Sequence, residues 1–510
     1  MTLNLTATSA TYLERLAAEL DVPPVRYEEA KRRYKSVGEW LGRDESSLKD
    51  YSPEVYVQGS FRLGTPVRPI NEDEHYDIDL VCELDVTKGD VTQQELKNLL
   101  GHEMQLYAKR YNMKDASESR RCWTLDYAEG AQFHLDALPA IPDSGQKRTR
   151  LEARSLSTEW VETAIAITDI DHPQYEVRCD EWPHSNPKGY TSWFRSRMKE
   201  AFERQRAGMA LEAKANVEDV PAYRVKTPLQ QAVQILKRHR DIRFANDPDN
   251  KPISVIITTL AGLSYKGEAN VGYALQAILA GMPTHIETRG GVTWVPNPSD
   301  PEENFADRWR QYPERRKNFF EWLEAAQSDF HRISALNNRE LLFEEASKVV
   351  GDRIARNAVT AGARPAASVT SLFQRVASVF TAAHRQIAPW QHVRGGTVAI
   401  AEATVSRNGF RSRRFYSDGT PLPKNASLVF KAVTDVPLPY DVHWQVVNTG
   451  PEAAAARGGL RGGFDVGTVD RGSIVRKEGT SYAGMHTIEC FIVKTGYLVA
   501  RSGAFVVNIA

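Results

Sequence analysis

The 510-residue sequence has few cysteines, no net charge and no long apolar segment. None of its cysteines pairs with another at Cys-x-x-Cys spacing, which argues against a disulfide framework and favours a reducing compartment. They are Cys82, Cys122, Cys179 and Cys490. Basic and acidic side chains number 65 each, so the chain lacks the basic excess that would hold long nucleic acid or an acidic membrane. No stretch approaches the roughly 20 apolar residues of a membrane span, and the first residues are too polar for a signal peptide. We expect a soluble, cytoplasmic protein.

The length predicts two or three domains at about 150 residues each. Helix and strand patterns mix up to about residue 225, helical patterns follow, and the remainder consists of short alternating runs rich in Val, Thr, Gly and Arg. We predict an α+β core with N-terminal helices at 1–225, a helical subdomain at 226–388 and an all-β sandwich at 389–510.

Local patterns predict the elements of this core. Helical spacing of apolar residues is found at 8–20, 25–41 and 91–111. Alternating runs predict strands at 54–58 and 76–84, and two more strands within 121–141 around a Glu129-Gly130 turn. Further along, helices are predicted from 228 onward and from about 303 to 386.

Carboxylates interrupt two of these apolar strands. Residues two apart in a strand share a face, so Asp77 and Asp79 project together while Ile78 points to the core. The run FHLDALPA places Asp136 in a third strand in the same way. Three converging carboxylates repel one another unless cations neutralise them. Oxygen ligands of this kind suit magnesium, and a pair of magnesium ions would complete a site shared with substrate phosphates.

The stretch VQGS before the first carboxylate strand offers groups for a phosphate. Gly59 permits close backbone approach, and Ser60 supplies a hydroxyl and an amide. Each feature alone also fits an ordinary turn, with the aspartates capping helices or pairing with arginines. The ordered set of Gly-Ser, Asp-x-Asp and Asp in strand context favours the catalytic interpretation.

The motifs GSFRLGT, YDIDLV and HLDALPA together resemble the nucleotidyltransferase superfamily. More specifically, they look like the DncV-like bacterial cyclic-oligonucleotide synthases of antiphage (CBASS) signalling systems, relatives of animal cyclic GMP-AMP synthase and oligoadenylate synthase. The resemblance spans most of residues 1–385. It implies a nucleotidyltransferase fold, with helices flanking a mixed sheet, and a helical subdomain like that of oligoadenylate synthase closing the nucleotide cleft.

The resemblance also implies roles for individual residues. Asp77, Asp79 and Asp136 would be catalytic and bind two Mg²⁺ ions, for which Mn²⁺ could substitute. Asp136 would help to deprotonate the incoming ribose hydroxyl. The donor nucleotide would be bound by Gln58, Gly59, Ser60, Lys237 and Ser254. From the sequence alone, Lys237 fits a solvated surface lysine equally well.

The last 120 residues resemble the adenylyl/guanylyl and SMODS-type sensor domain found after some of these synthases. An unknown ligand of this domain is a further expected partner, and its arginines are candidate contacts, although exposed arginines in turns are usually solvated. They are Arg411, Arg413, Arg414, Arg457 and Arg461. The apolar tail FVVNIA leaves conjugation through Ala510 to a partner open.

The expected activity is therefore that of a nucleotidyltransferase that uses ATP, and other nucleoside triphosphates, to make a cyclic di- or trinucleotide second messenger. A downstream effector would meet only the product, and neither a membrane nor long nucleic acid is an expected partner. Two alternatives stay open, namely a linear transferase acting on RNA or protein, and a nucleotide-binding sensor without turnover.

Overall fold

The computed structural model describes residues 5–70, 74–127, 133–213, 225–360, 382–393, 395–407, 410–415, 417, 421–470 and 473–509. Contacts divide the chain into two compact units, the first formed by Met1–Val22 and Tyr27–Ala366 and the second containing Ala367–Ala510. Among the described residues, no helix is both long enough and apolar enough to cross a membrane.

The described part of the first unit contains twelve α-helices. They are α1 (Ala7–Leu20), α2 (Pro24–Leu41), α3 (Gly59–Leu63), α4 (Gln93–Arg110), α5 (Ser144–Ala153), α6 (Pro187–Ala213), α7 (Pro228–Arg243), α8 (Ser254–Ser264), α9 (Val271–Gly281), α10 (Pro313–Ala335), α11 (Arg339–Val350) and α12 (Asp352–Thr360). Two of them begin at capping boxes, in which Thr92 pairs with Glu95 and Thr227 with Gln230.

One mixed sheet forms the centre of the first unit. Its strands are β1 (Glu54–Val57), β2 (Tyr76–Glu83), β3 (Ser117–Glu118), β4 (Trp123–Asp126), β5 (Phe133–Pro142), β6 (Ile165–Ile167) and β7 (His184–Ser185). The order is β1-β2-β5-β4-β3, and β6 joins the far end of β5 and pairs with β7. β2 and β5 run parallel, whereas the other pairs are antiparallel. This parallel pair carries all three aspartates.

Two hydrophobic cores stabilise the first unit. The sheet core joins Ile78 and Leu80 of β2 with Leu96 and Leu100 of α4. The helical core is built by α1 and by α6 to α12, around Trp322 of α10. α1 therefore packs with the helical part, although it precedes the sheet in the sequence, and the Ser9 hydroxyl bonds the carbonyl of Ile333 at 2.8 Å.

Two hairpins that the sequence reading missed lie among the helices. They are β8 (Glu287–Arg289) with β9 (Val292–Trp294), and β10 (Pro296–Asn297) with β11 (Asp300–Asn304). Gly290 and Gly291 form the first turn with φ of 55° and 79°, values that glycine adopts without strain. The Gly-Gly pair is the signal that identifies this hairpin. The second hairpin brings Asn297 and Glu303 to the sheet.

Two antiparallel sheets face each other in the second unit. The first contains β12 (Val398–Arg407), β13 (Phe410–Arg414), β15 (Ser427–Thr434), β18 (Val469–Asp470) and β19 (Ser473–Gly479). The second contains β14 (Pro421–Leu422), β16 (Asp441–Asn448), β17 (Phe464–Gly467), β20 (Gly484–Lys494), β21 (Tyr497–Arg501) and β22 (Phe505–Ile509), with a parallel β14–β22 pair at its edge. Phe430 from one sheet and Trp444 from the other share a buried core, and one short helix, α13 (Pro451–Ala455), interrupts the strands.

The α+β fold with a C-terminal β-sandwich is confirmed. The first two helices and both carboxylate strands begin and end within a few residues of their predicted bounds. The Glu129-Gly130 turn, the stretch from 361 to 381 and Ala510 lie outside the described residues. The predicted domain boundaries at 225 and 388 stay predictions.

We predict that residues 382–510 fold without the rest of the chain, because the core of the sandwich uses only residues from 398 onward. A fragment that begins at residue 390 should be less stable by about 2 kcal/mol, since it loses bonds that tie the preceding segment to the second sheet. These are His384 to the carbonyl of Asn448 at 2.8 Å, Gln386 amide to the carbonyl of Gly462 at 3.0 Å, and Arg385 to Glu489 at 3.1 Å. Urea unfolding followed by the fluorescence of Trp390 and Trp444 compares the two fragments. Equal midpoints would contradict the prediction.

Candidate active site

Asp77, Asp79 and Asp136 lie side by side on the two parallel strands. Asp79 is opposite Asp136 in the β2–β5 register, and Asp77 is opposite His134. The intervening Ile78 is buried, whereas the aspartates stay partly or largely exposed. The alternation of the strands therefore places the three carboxylates on one surface of the sheet.

The Gly-Ser turn lies against the same carboxylates. The Gln58 amide donates to the carbonyl of Asp79 at 2.8 Å, which continues the β1–β2 pairing to the residue before α3. Gly59 has φ of 62°, and a Cβ at this position would lie 2.0 Å from Oδ2 of Asp79. Only glycine fits here, and it brings Ser60 next to the carboxylate pair.

Electrostatic repulsion within the group is strong. Burial and the charges of Asp136 and Asp77 together raise the pKa of Asp79 to about 7, against the attraction of Lys237. Burial and Asp136 also raise the pKa of Asp77. The folded protein therefore holds these carboxylates at a cost, which a bound cation would relieve.

Neighbouring groups fix the orientation of the side chains on β5. The Thr124 hydroxyl, opposite in the β4–β5 register, donates to Oδ1 of Asp136 at 2.5 Å, which leaves Oδ2 for the cleft. His134 lies 2.5 Å from Oδ1 of Asp126 and 2.6 Å from the ring of His75. These contacts hold the edge of the site without using the oxygens that face the cleft.

The carboxylates fit a site for divalent ions that a substrate completes. Among the described residues, no three His, Cys, Asp or Glu side chains already enclose a metal position. Magnesium keeps several non-protein ligands and is often bound through only one or two carboxylates together with substrate phosphates. An open group of mutually repelling carboxylates is the donor set that such an ion prefers.

Lys237 belongs to the site and is not a surface lysine. It is only 6% exposed, within α7, and its ammonium donates to the carbonyl and hydroxyl oxygens of Thr65 at 3.1 and 3.3 Å. Burial and the charge of Arg240 together lower its pKa to about 7, while Asp241 and Asp79 act in the opposite direction. An anion in the cleft would restore its full charge.

Ser254 is also at the cleft, as the first residue of α8. Its hydroxyl accepts a bond of 2.8 Å from Arg240, and the same guanidinium contacts Asp241 at 2.7 Å. Ser254 thereby holds an arginine that the sequence reading did not select. Lys251, a neighbouring lysine that could have taken the place of Lys237, lies 3.7 Å from Asp241 and does not line the cleft.

All eight predicted residues line one cavity of about 490 Å³, here called the catalytic cleft. They are Gln58, Gly59, Ser60, Asp77, Asp79, Asp136, Lys237 and Ser254. Sheet residues form one wall and α7 and α8 form the opposite wall. The cleft is large enough for a nucleotide.

Sequence reasoning missed the far end of the cleft, which the second hairpin forms. Glu303 lines it with a buried carboxyl whose pKa burial raises to about 7, and the Asn297 amide donates to its Oε2 at 2.6 Å. Phe305 and Tyr190 add aromatic surface, with ring centroids 6.0 Å apart. No periodic pattern marks Glu303, because β11 has five residues, three of which are acidic.

The arginines of the second unit differ in their availability. Arg461 is neutralised by Glu478 at 2.7 Å and Asp465 at 2.5 Å. Arg414 lies 3.8 Å from Glu402, and Arg457 is exposed. The side chain of Arg411 lies outside the described part of the chain. An anionic ligand for this domain stays a prediction. Arg461 is not a free cation for such a ligand, because it is already paired with two acidic residues.

Two family comparisons match the two units. Residues 53–139 match the family described as cyclic GMP-AMP synthase DncV-like, nucleotidyltransferase domain. Residues 380–510 match the adenylyl/guanylyl and SMODS C-terminal sensor domain. Nucleotidyltransferases of the first family generally use divalent metal ions.

Individual relatives agree with these matches. A c-di-GMP synthase of Roseivirga ehrenbergii is 27% identical over 353 residues, which are 68% of this chain and 85% of that protein. The cyclic dinucleotide synthase CdnG of Bradyrhizobium diazoefficiens is 28% identical over 318 residues, 58% of this chain and 69% of the relative. The solved structure of Bradyrhizobium CdnG with GTP has a TM-score of 0.54 at 23% identity and covers 70% of this chain and 99% of its own, which shows a common fold.

The fold and the cleft define a nucleotidyltransferase. With both matches, the chain combines a domain similar to the DncV-like nucleotidyltransferases with a C-terminal domain similar to the sensor domain, and it is similar to a cyclic dinucleotide synthase over 68% of its length.

We expect Gly59→Ala to abolish activity and to lower the free energy of unfolding by about 1–3 kcal/mol, because the new Cβ meets Asp79 at a positive φ. Gly145→Ala is the matched control, since nothing lies within 4 Å of its Cβ. Turnover assays and thermal melts compare both variants with the unchanged protein. Wild-type turnover in Gly59→Ala would show that the turn tolerates a side chain.

Stability without metal should depend on pH through Asp79. Its folded pKa is raised to about 7, so the ionised carboxylate destabilises the fold above pH 7, and protonation relieves this as the pH falls towards the unfolded value of about 4. In EDTA, Asp79→Asn should therefore be more stable than the wild type at pH 8, by on the order of 2 kcal/mol, with a gap that narrows at pH 5 and closes only below about pH 4. Chemical unfolding at the two pH values measures this difference. A larger difference in stability at pH 5 than at pH 8 would contradict this prediction.

Proposed function

We propose that this chain joins nucleoside triphosphates, with ATP and GTP among its substrates, into a cyclic di- or trinucleotide second messenger and releases pyrophosphate. The observation that carries the proposal is the convergence of Asp77, Asp79 and Asp136 beside the Gly59-Ser60 turn in one cleft. The names of the relatives, c-di-GMP synthase and cyclic dinucleotide synthase, support the same reaction class.

Asp77, Asp79 and Asp136 would hold two Mg²⁺ ions. When bound, such ions activate the attacking hydroxyl and neutralise charge on the triphosphate and the leaving pyrophosphate. The contribution of the protein itself is to position the reactants and to exclude other arrangements of them. Asp136 lines the cleft, and its Oδ2, which does not accept the Thr124 bond, would be the oxygen available to accept the proton of the ribose hydroxyl.

The triphosphate would be held from two sides. Ser60 and the Gly59 backbone approach it from the sheet, and Lys237 and Arg240 approach it from α7. Phosphate charge would raise the lowered pKa of Lys237 and keep its ammonium protonated. A charged Lys237 is therefore more stable with an anion in the cleft than without one, which supports its role in binding phosphate.

The far end of the cleft would select the base. A carboxylate accepts two hydrogen bonds, and guanine presents neighbouring N–H donors on one edge, whereas adenine presents one donor beside an acceptor. Glu303 therefore favours guanine at its position, and the aromatic surface of Phe305 suits any base. The GTP complex of the structural relative is consistent with this choice.

The proposal includes an antiphage role, because the three motifs resemble those of synthases in antiphage signalling systems. The sensor domain would receive an unidentified ligand, and an effector would respond to the cyclic product alone. This part of the proposal rests on that resemblance.

Asp79→Ala should reduce product formation from the four nucleoside triphosphates at least ~1000-fold with either Mg²⁺ or Mn²⁺, a loss of about 4 kcal/mol of transition-state stabilisation. Asp85→Ala, an exposed aspartate just after the same strand, is the control and should keep full activity. Chromatography after phosphatase treatment reads the result. A ring has no terminal phosphate and survives the treatment, so a phosphatase-sensitive product would instead identify a linear transferase.

Glu303→Gln should shift base preference away from GTP. An amide offers one acceptor and one donor in place of two acceptors, so we expect the ratio of kcat/KM for GTP over ATP to fall about tenfold. Labelled nucleotides supplied singly and in pairs measure this ratio. Glu302→Gln, whose side chain pairs with Lys147 away from the base, is the neighbouring control. An unchanged ratio would place base selection elsewhere.

A further inference from the structure

The chain that leaves α3 forms neither helix nor strand from residue 64 to residue 70, and this stretch is here called the connecting segment. Its Pro66 lines the catalytic cleft. The Arg68 amide donates to the carbonyl of Leu20 at 2.9 Å, which fixes one point of the segment. Pro66 and Pro69 have no amide hydrogen to donate. The course of the segment therefore depends largely on bonds to its carbonyl oxygens.

Side chains donate to these carbonyls one after another, beginning at Leu63, the last residue of α3. Nε2 of Gln230 donates to the carbonyl of Leu63 at 2.8 Å, and Nε2 of Gln234 donates to that of Pro66 at 2.7 Å. The other donors are Lys226 to Gly64 at 2.9 Å, Lys237 to Thr65 at 3.1 Å, Arg238 to Arg68, and Arg353 to Pro69 at 3.3 Å.

Most of these donors lie on one face of α7. Residues three, four, seven and eight apart share a face of a helix, and four of the donors have this spacing. All four are at most 6% exposed. They are Gln230, Gln234, Lys237 and Arg238. The helix that carries the cleft lysine thus also follows the connecting segment along its length.

The amide of Gln230 joins α7 to α3. Its Oε1 accepts a bond of 2.9 Å from the Thr227 amide, which caps the start of α7, while its Nε2 holds Leu63. Two residues further on, the Thr65 amide donates to the carbonyl of Ser60 at 3.0 Å. The beginning of α7 is therefore tied to the helix that starts with the Gly-Ser turn.

The amide of Gln234 uses both of its N–H groups. In addition to Pro66, its Nε2 donates to Oδ1 of Asp21 at 2.9 Å, an oxygen that also pairs with Lys226 at 2.9 Å. An amide nitrogen donates twice, whereas a carboxylate cannot donate at all. The side chain is fully buried, so water does not replace either bond.

Buried carbonyls need donors in any fold, and this need alone would explain a set of donors drawn from several elements. Here one helix face supplies most of them, and Lys237 belongs to that face. Each bond therefore also fixes how far the connecting segment lies from the lysine. The Gly59-Ser60 turn is attached to the same segment through α3, on the opposite wall of the cleft.

We propose that Gln230 and Gln234 are positioning residues for the donor triphosphate. They hold the connecting segment against α7 and so set the spacing between the Gly59-Ser60 turn and Lys237. Neither glutamine lines the catalytic cleft, so they act through these groups and not on the nucleotide itself. The inference rests on the proposed function, which supplies the triphosphate between the two walls.

Binding tests this without turnover. Calorimetry on the full chain with Mg²⁺ would use a GTP analogue in which methylene replaces the oxygen between the α- and β-phosphates. Gln230→Glu keeps an oxygen for the Thr227 cap and loses the donor to Leu63, and Gln234→Met loses both bonds of its amide without adding charge. Each variant should bind the analogue about tenfold more weakly than the wild type, through misplaced phosphate contacts. GMP lacks the β- and γ-phosphates and should bind each variant like the wild type.

Gln231→Glu is the matched control for charge. It places the same charge one residue further along α7, where the side chain neither lines the cleft nor donates to the connecting segment. It should bind both ligands like the wild type. Calorimetry reports stoichiometry separately from Kd, so unfolded molecules lower the stoichiometry and leave the Kd of the folded ones unchanged.

The proposal fails if either folded variant binds the analogue with wild-type affinity, or if GMP affinity falls as much as analogue affinity. It also fails if neither variant folds, because the two amides would then serve stability alone. A wild type that binds the analogue but forms no cyclic product would overturn the proposed function. In that case weaker analogue binding by the two variants would still support their positioning role.

Discussion

The mutual repulsion of Asp77, Asp79 and Asp136 is the constraint on which the rest of the catalytic cleft depends. A raised pKa at Asp79 means that the fold holds a carboxylate where its charge is unfavourable. Lys237 is placed under the opposite constraint, since burial depresses its pKa. Each group is poorly solvated without ligands, and a metal-bound triphosphate would satisfy both at once. The cleft is thus arranged for an occupant that carries both signs of charge.

Local backbone geometry determines where these charged groups lie in the cleft. Gly59 lets the chain pass within van der Waals reach of the Asp79 carboxylate, and the capping box at Thr227 fixes the start of the helix that carries Lys237. Thr124 orients Asp136 from the adjacent strand. Thr227 and Thr124 do not line the catalytic cleft, and all three residues determine where a group that meets the reactants can lie.

The sequence was sufficient to predict the parts of the site that follow a short period. Asp77 and Asp79 stand out because charge two residues apart in an apolar strand breaks the usual pattern, and Asp136 repeats that break. Lys237 could not be assigned by pattern, because its burial depends on Thr65, 172 residues away in the chain. Glu303 was missed for a similar reason, since a short charged hairpin reads as a surface loop until its partners are known. The association of α1 with the helical core is likewise set by contacts hundreds of residues distant, such as that of Ser9 with Ile333.

The short helix α3 has a mechanical consequence. Five residues make a helix about 7.5 Å long, which is too short to bend internally. Glycines with positive φ stand at its first residue and just after its last, Gly59 and Gly64, and the carbonyl of Leu63 is anchored by Gln230 at 2.8 Å. The helix therefore moves as one unit, so that a displacement of its C-terminal end at Gln230 would also displace the Gly59-Ser60 turn at its start.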